Sequence, residues 1–150
     1  MINIKYKKIA VLGLGYVGLP LAIEFGKVIE TIGYDVSKKR INQLKSCNDL
    51  TFEVSKKEFK QSKKLKFTYN LTEIADANIY IVTVPTPIYE NKRPDLRLIK
   101  KATKDVAKVI TKNNVIIYES TVYPGVTEEV CTPLIEKISG LKLNKDFYCG

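Results

Sequence analysis

Three glycines, Gly13, Gly15 and Gly18, stand in the order G-x-G-x-x-G directly after a short apolar run at 8–12, KIAVL. The run reads as a buried parallel strand, and residues 19–28 read as a helix packed on it. A strand, a glycine turn and a helix in that order make the start of a dinucleotide-binding unit. Each glycine has a physical task there. Gly13 permits the tight turn, Gly15 leaves the backbone bare for a pyrophosphate, and Gly18 lets the helix lie close to the strand. The backbone N–H groups of Tyr16 and Val17, at the positive end of the helix, are natural phosphate donors.

A second strand is expected at 31–36 and carries Asp35, 17 residues beyond Gly18. A carboxylate at that point accepts hydrogen bonds from the ribose hydroxyls of an adenosine and repels a 2′-phosphate, which favours NAD over NADP. Arg40 follows on the first turns of the next helix. It either closes over the adenosine end, weakens the discrimination by meeting a 2′-phosphate, or is a plain surface residue of the helix.

Strands and helices alternate through the rest of the chain. Ser37 is placed to cap a helix running to about residue 47, with Ile41 and Leu44 on one face. Ser55 opens a short surface helix, and 66–69 forms a small third strand. The run 78–84, NIYIVTV, is a strong strand of β-branched and aromatic residues. Asp95 is the expected N-cap of the longest helix, to about residue 112, with Leu96, Ile99, Thr103, Val106 and Ile110 spaced by threes and fours. A strand at 115–118, a helix at 127–139 kinked near Pro133, and a last strand at 146–149 complete the series. This alternation predicts an α/β fold, a Rossmann-type doubly wound parallel sheet of about six strands with helices on both faces. In open sheets of that kind ligands bind beyond the carboxyl ends of the strands. Two loops fall there, 83–87 (TVPTP) and 119–125 (ESTVYPG). Their hydroxyls reach toward a ribose or nicotinamide, and their prolines stiffen the walls.

Composition removes several chemistries. The chain has 150 residues and no histidine. That excludes Ser-His and Cys-His nucleophile pairs and most zinc sites, so no metal is expected. Cys47, Cys131 and Cys149 are far apart and form no C-x-x-C, so neither a disulfide framework nor a four-cysteine metal site arises, and a reduced, cytoplasmic setting is expected. All three read as structural thiols. The net charge is +9, concentrated between Lys38 and Lys66, where ten basic residues stand against Asp49, Glu53 and Glu58. A basic field suits an anionic ligand, a nucleic acid or an acidic membrane, and its plainest form is a solvated lysine face. Arginine–aromatic interleaving is missing, so no nucleic-acid partner is expected. Residues 9–23 carry no charge but are too few to span a bilayer, and Pro20 and three glycines interrupt them, so neither a signal peptide nor a membrane partner is expected.

Taken together, GLGYVGLPLA, YDVSKKR, VTVPTP and ESTVYPG resemble the UDP-glucose/GDP-mannose dehydrogenase family over nearly the whole chain, in the family's order and spacing. The resemblance is to the family's N-terminal NAD-binding domain. VTVPTPIYENKRPDL and YESTVYPGVTEE are most similar to the branch acting on UDP-N-acetylhexosamines. It implies oxidation of a sugar C6 alcohol to a carboxylate in two steps with two NAD⁺, through a cysteine-bound intermediate, on UDP-N-acetylglucosamine or UDP-N-acetylgalactosamine, for surface polysaccharide synthesis. Its cofactor contacts map onto Gly13, Gly15, Tyr16, Val17, Gly18, Asp35, Arg40, Thr86 and Thr121. The family's acidic motif after the sixth strand, its catalytic lysine and asparagine and its cysteine-bearing segment have no counterpart in these residues. Residues 1–150 are therefore expected to be the NAD-binding part of a longer, homo-oligomeric enzyme, inactive by themselves, with the catalytic groups elsewhere. A stand-alone NAD(H)-sensing module would use the same fold and turn.

Overall fold

The computed structural model describes residues 7–88 and 94–150. Six parallel strands form one sheet: β1 (Ile9–Leu12), β2 (Thr31–Tyr34), β3 (Leu65–Thr68), β4 (Ile79–Val82), β5 (Asn114–Tyr118) and β6 (Phe147–Cys149), in the order β3-β2-β1-β4-β5-β6. The order reverses beside β1, so the carboxyl ends of β1 and β4 diverge into a crevice. The helices are α1 (Gly18–Val28), α2 (Lys38–Lys45), α3 (Lys56–Gln61), α4 (Arg97–Val109) and α5 (Thr132–Ser139).

Side-chain alternation along the central strands divides the core in two. Ala10 and Leu12 of β1 face one side, packed with Tyr80, Val82, Ile116, Val106 of α4 and Ile135 of α5. Ile9 and Val11 face the other, packed with Ile81, Leu19 and Ile23 of α1, and Ile41 and Leu44 of α2. The strands are apolar on both faces because both faces carry helices, as parallel sheets require.

Three sequence expectations change in detail. The helix expected at 127–139 with a kink is two segments: a π-helical stretch, Val126–Cys131, followed by α5 with Pro133 in its first turn. Pro133 has no N–H to donate back to the preceding turn, so the backbone widens there before regular α-helix begins. The longest helix has Leu96 at its cap position and not Asp95. Asp95 still does the work of a cap, because its carboxylate accepts the Arg97 N–H at 2.9 Å. Helix ends at residues 45 and 109 fall two or three residues before those expected, the usual margin for fraying termini.

Among the described residues no helix is long and apolar enough to cross a membrane, and no group of three His, Cys, Asp or Glu side chains is placed to hold a metal ion. Every lysine of the basic stretch is exposed, whereas Arg40 turns inward.

Candidate cofactor site

Beyond the ends of β1 and β2 lies a cleft of about 410 Å³ lined by Leu12, Gly13, Leu14, Gly15, Tyr34, Asp35, Arg40, Val84, Pro85 and residues of α4. The glycine turn forms its floor. Gly13 has φ +95°, a conformation that only glycine adopts without strain, and its N–H continues the ladder to the Tyr34 carbonyl at 2.9 Å. At Gly15 a Cβ would meet nothing within 4 Å, so the backbone there is bare toward open space. A Cβ on Gly18 would sit 1.9 Å from the Gly13 carbonyl oxygen and 2.3 Å from the Thr83 hydroxyl. No side chain caps α1; in its first turn the Leu19 N–H is taken by the Gly15 carbonyl at 3.2 Å and Pro20 has no N–H to satisfy. Tyr16 and Val17 are exposed, and their side chains add nothing to the floor.

Asp35 stands just past β2 with both carboxylate oxygens engaged. One accepts the Leu14 N–H at 2.9 Å and the other the Ser37 N–H at 2.8 Å. Each oxygen keeps a lone pair for a further donor. Arg40, in the first turn of α2, donates from Nε to the Leu14 carbonyl at 2.9 Å and from Nη2 to Asp49 at 2.9 Å. Its side chain is only 13% exposed. The surface-residue reading of Arg40 is therefore incorrect: it is a half-buried strut between the glycine turn and the loop after α2.

Asp49 is the residue that sequence reasoning missed, having counted it only as an acid in a basic run. Its carboxylate accepts the N–H groups of Thr51, Glu53 and Val54 and the Thr51 hydroxyl as well as Arg40. Burial by itself would raise its pKa; the hydrogen bonds from Thr51, Arg40 and Val54 outweigh that and hold it at about 2. A faint signal was present in Asp-x-Thr, which favours a side-chain-to-backbone turn.

The far wall comes from α4. Leu98, Lys101, Ala102 and Asp105 line the cleft at steps of three, one and three. That is one helical stripe beside the core stripe of Ile99, Thr103 and Val106, and a helical reading of 97–109 contains it. Tyr34 lies beneath; burial first, then the Asp105 and Asp35 charges, push its phenol pKa up.

Thr86 and Thr121 fall outside the lining of this cleft. The two loops that carry them lean on each other: the Thr86 hydroxyl donates to the Thr121 carbonyl, and the Ser120 hydroxyl donates to the Val84 carbonyl at 2.6 Å. Thr83 turns back to the glycine turn, its hydroxyl 2.7 Å from the Gly13 carbonyl. Residues 89–93, within the longer string used for the branch resemblance, lie outside the described residues.

Burial raises the thiol pKa of Cys131, and raises that of Cys149 to about 11. Both changes run opposite to the activation a nucleophilic cysteine needs. Cys47 is half-buried against the α1 side of the core.

Residues 7–150 match the family model described as "UDP-glucose/GDP-mannose dehydrogenase family, NAD binding domain". The chain is 52% identical over 143 residues to the UDP-N-acetyl-D-glucosamine 6-dehydrogenase of Pseudomonas aeruginosa, covering 95% of this chain and 34% of that protein. It is 49% identical to the enzyme of the same name from Salmonella typhi, over its whole length and 35% of the relative. Among solved structures, a UDP-D-ManNAc dehydrogenase from Pyrococcus horikoshii superposes with a TM-score of 0.89 at 35% identity, over 95% of this chain and 35% of that one. The chain thus spans about a third of the length of the relatives it matches. With a glycine turn and the Asp35 carboxylate at the switch point of a six-stranded parallel sheet, and with that match, the chain belongs to the UDP-glucose/GDP-mannose dehydrogenase family and corresponds to its NAD-binding domain.

Proposed function

We propose that these residues are the cofactor-binding part of a longer, homo-oligomeric, cytoplasmic NAD-dependent nucleotide-sugar 6-dehydrogenase. Its substrate is a UDP-N-acetylhexosamine, with UDP-N-acetylglucosamine favoured by the two most similar relatives named above. Its product is a uronate used in surface polysaccharide synthesis. The observation that carries the reading is the bare backbone at Gly15 opening into the same cleft as the Asp35 carboxylate.

The residues present suit NAD. Gly13, Gly15 and Gly18 shape a floor that a pyrophosphate can approach, and the N–H groups of Tyr16 and Val17 start an uncapped helix. Asp35 offers its remaining lone pairs to ribose hydroxyls. Val36, Val84, Pro85, Leu98 and Ala102 give apolar walls for a flat base. Arg40 closes the floor from the side. Thr86 and Thr121, on the loops past β4 and β5, belong to the far end of the cofactor. When bound, NAD supplies the acceptor for a hydride, and this chain's part is to hold that acceptor in place.

Calorimetric titration with NAD⁺ and NADP⁺ tests the cofactor assignment. NAD⁺ should bind at least tenfold more tightly, since repulsion of two anions about 4 Å apart near a protein surface approaches 4 kcal/mol. Asp35→Ala should narrow the gap, and equal affinities in the parent chain would remove Asp35 from the role. The activity assignment is read from NADH absorbance with UDP-N-acetylglucosamine, UDP-N-acetylgalactosamine and UDP-glucose. The longer gene product should turn over one of the hexosamines. Steady turnover by the 150 residues alone, lost on Thr121→Ala, would place catalysis within them and overturn the division.

A further inference from the structure

Asp35 and Arg40 line the same cleft. An arginine beside the ribose-binding carboxylate is the group that sites for a 2′-phosphorylated dinucleotide employ. Here that cation is occupied on its inner edge, by the Leu14 carbonyl at Nε and by Asp49 at Nη2. Nη2 also lies 3.4 Å from the Thr51 hydroxyl. Asp49 itself does not line the cleft, and its side chain is 1% exposed. Three backbone N–H groups and one hydroxyl hold it, in a loop where Cys47 and Phe52 both take left-handed conformations, φ 52° and 58°. The carboxylate is thus fixed by its own loop and offers Arg40 a rigid, charge-matched partner.

We propose that Asp49 is a specificity-determining residue for the cofactor: it pins Arg40 against the glycine turn, and so denies a 2′-phosphate the one cation of the basic stretch that lines the cleft beside Asp35. Asp35 repels the phosphate directly, and Asp49 removes the group that would otherwise compensate. Asp49 acts only through Arg40, and the selectivity that the fold imposes comes from two carboxylates, Asp35 lining the cleft and Asp49 bonded to Arg40 outside that lining. The proposal rests on the cleft being the NAD site.

The test is calorimetric titration of the chain with NAD⁺ and NADP⁺, read as the ratio of the two affinities. Asp49→Asn keeps the size of the side chain and removes its charge, and should reduce the preference for NAD⁺ by about fivefold or more as Arg40 is released. In an Arg40→Ala background the same substitution should leave the ratio unchanged. A merely structural role for Asp49 would weaken both cofactors alike and leave the ratio where it was in both backgrounds, which overturns the proposal. If Asp49→Asn does not fold, Arg40→Ala alone decides. A ratio held within about twofold agrees with a cation already withdrawn, and a clear widening shows that Arg40 serves the phosphate in the parent chain and overturns the proposal. A parent chain that binds neither cofactor defeats the NAD reading itself; a parent that binds NAD⁺ with a ratio blind to Asp49 defeats only this inference.

Discussion

On the β1–β2 side of the cleft, backbone and charged side chains are tied together without a gap. Leu14 gives its N–H to Asp35 and its carbonyl to Arg40; Arg40 runs on to Asp49; Asp49 gathers Thr51, Glu53 and Val54. On the β4–β5 side, two exposed loops are joined by two hydroxyl-to-carbonyl bonds, Thr86 to Thr121 and Ser120 to Val84. Pro85, Thr121, Tyr123 and Pro124 are open to solvent. The first side is complete in itself, closed by bonds between residues 21 and 26 positions apart. The second side is a pair of loops that lean on each other through the Thr86 and Ser120 hydroxyls and are otherwise open to solvent. If the cleft holds the cofactor as proposed, the groups already held in place are those on the β1–β2 side, which lowers the ordering cost of binding there.

The sharpest way to break this contrast is Gly18→Ala. Its Cβ would meet backbone of Gly13, which cannot rotate away, and should cost about 3 kcal/mol or more of stability together with cofactor binding; thermal denaturation reads it. Gly15→Val separates the two effects. Its side chain enters open space, so the unfolding midpoint should hold, while NAD⁺ affinity falls by about 100-fold or more, because the branched side chain stands where the phosphates approach. A folded Gly15→Val chain that binds NAD⁺ like the parent would move the phosphate site elsewhere.

Acid sharpens the comparison from the other direction. The Asp49 carboxyl titrates at about 2 in the folded chain against 3.8 for the unperturbed group. A lowered folded value means stability that is fully present above the unfolded pKa and is lost as pH falls through the folded one. Asp49 should thus contribute about 2 kcal/mol above pH ~4 that disappears toward pH 2. Denaturation midpoints followed over that range should fall more steeply for the parent than for Asp49→Asn. The smallest effect belongs to the second side. Thr86→Val removes one partly exposed hydrogen bond between loops and should cost no more than about 1 kcal/mol. A larger loss in chemical denaturation would show that the two loops are as tightly built as the glycine turn.

The sheet, its helices and the glycine turn were legible because each rests on local pattern: apolar runs for β1 and β4, G-x-G-x-x-G between strand and helix, and an acid expected within the second strand, which in fact ends one residue earlier at Tyr34. What remained hidden depends on chain geometry that propensity does not carry. Asp49 reaches Arg40 from a loop in which Cys47 and Phe52 adopt left-handed backbone, a rare choice for such side chains. Leu98, Lys101 and Asp105 reach the cleft because α4 crosses back over the sheet, which strand order decides and helical periodicity does not. Thr83 looked like a wall of the ligand site and is a strut beneath the glycine turn, since the register of β4 beside β1 carries its hydroxyl to the Gly13 carbonyl. The division of Val126–Cys131 from α5 was anticipated only as a kink, because Pro133 announces a missing donor but not how the preceding turn relaxes.

Asp35 has a consequence for how such a chain changes over generations. Its carboxylate is at once the group proposed to meet the ribose and the acceptor for the N–H groups of Leu14 and Ser37. A mutation that discards the carboxylate to admit a phosphorylated cofactor also strands the part-buried Leu14 N–H, at about 1–3 kcal/mol, while water can replace the acceptor at the exposed Ser37 N–H. In a domain whose whole margin is about 5–15 kcal/mol, that is a heavy handicap for a single step. A lineage that takes the other cofactor on this scaffold should carry an accompanying change that supplies Leu14 with a new acceptor.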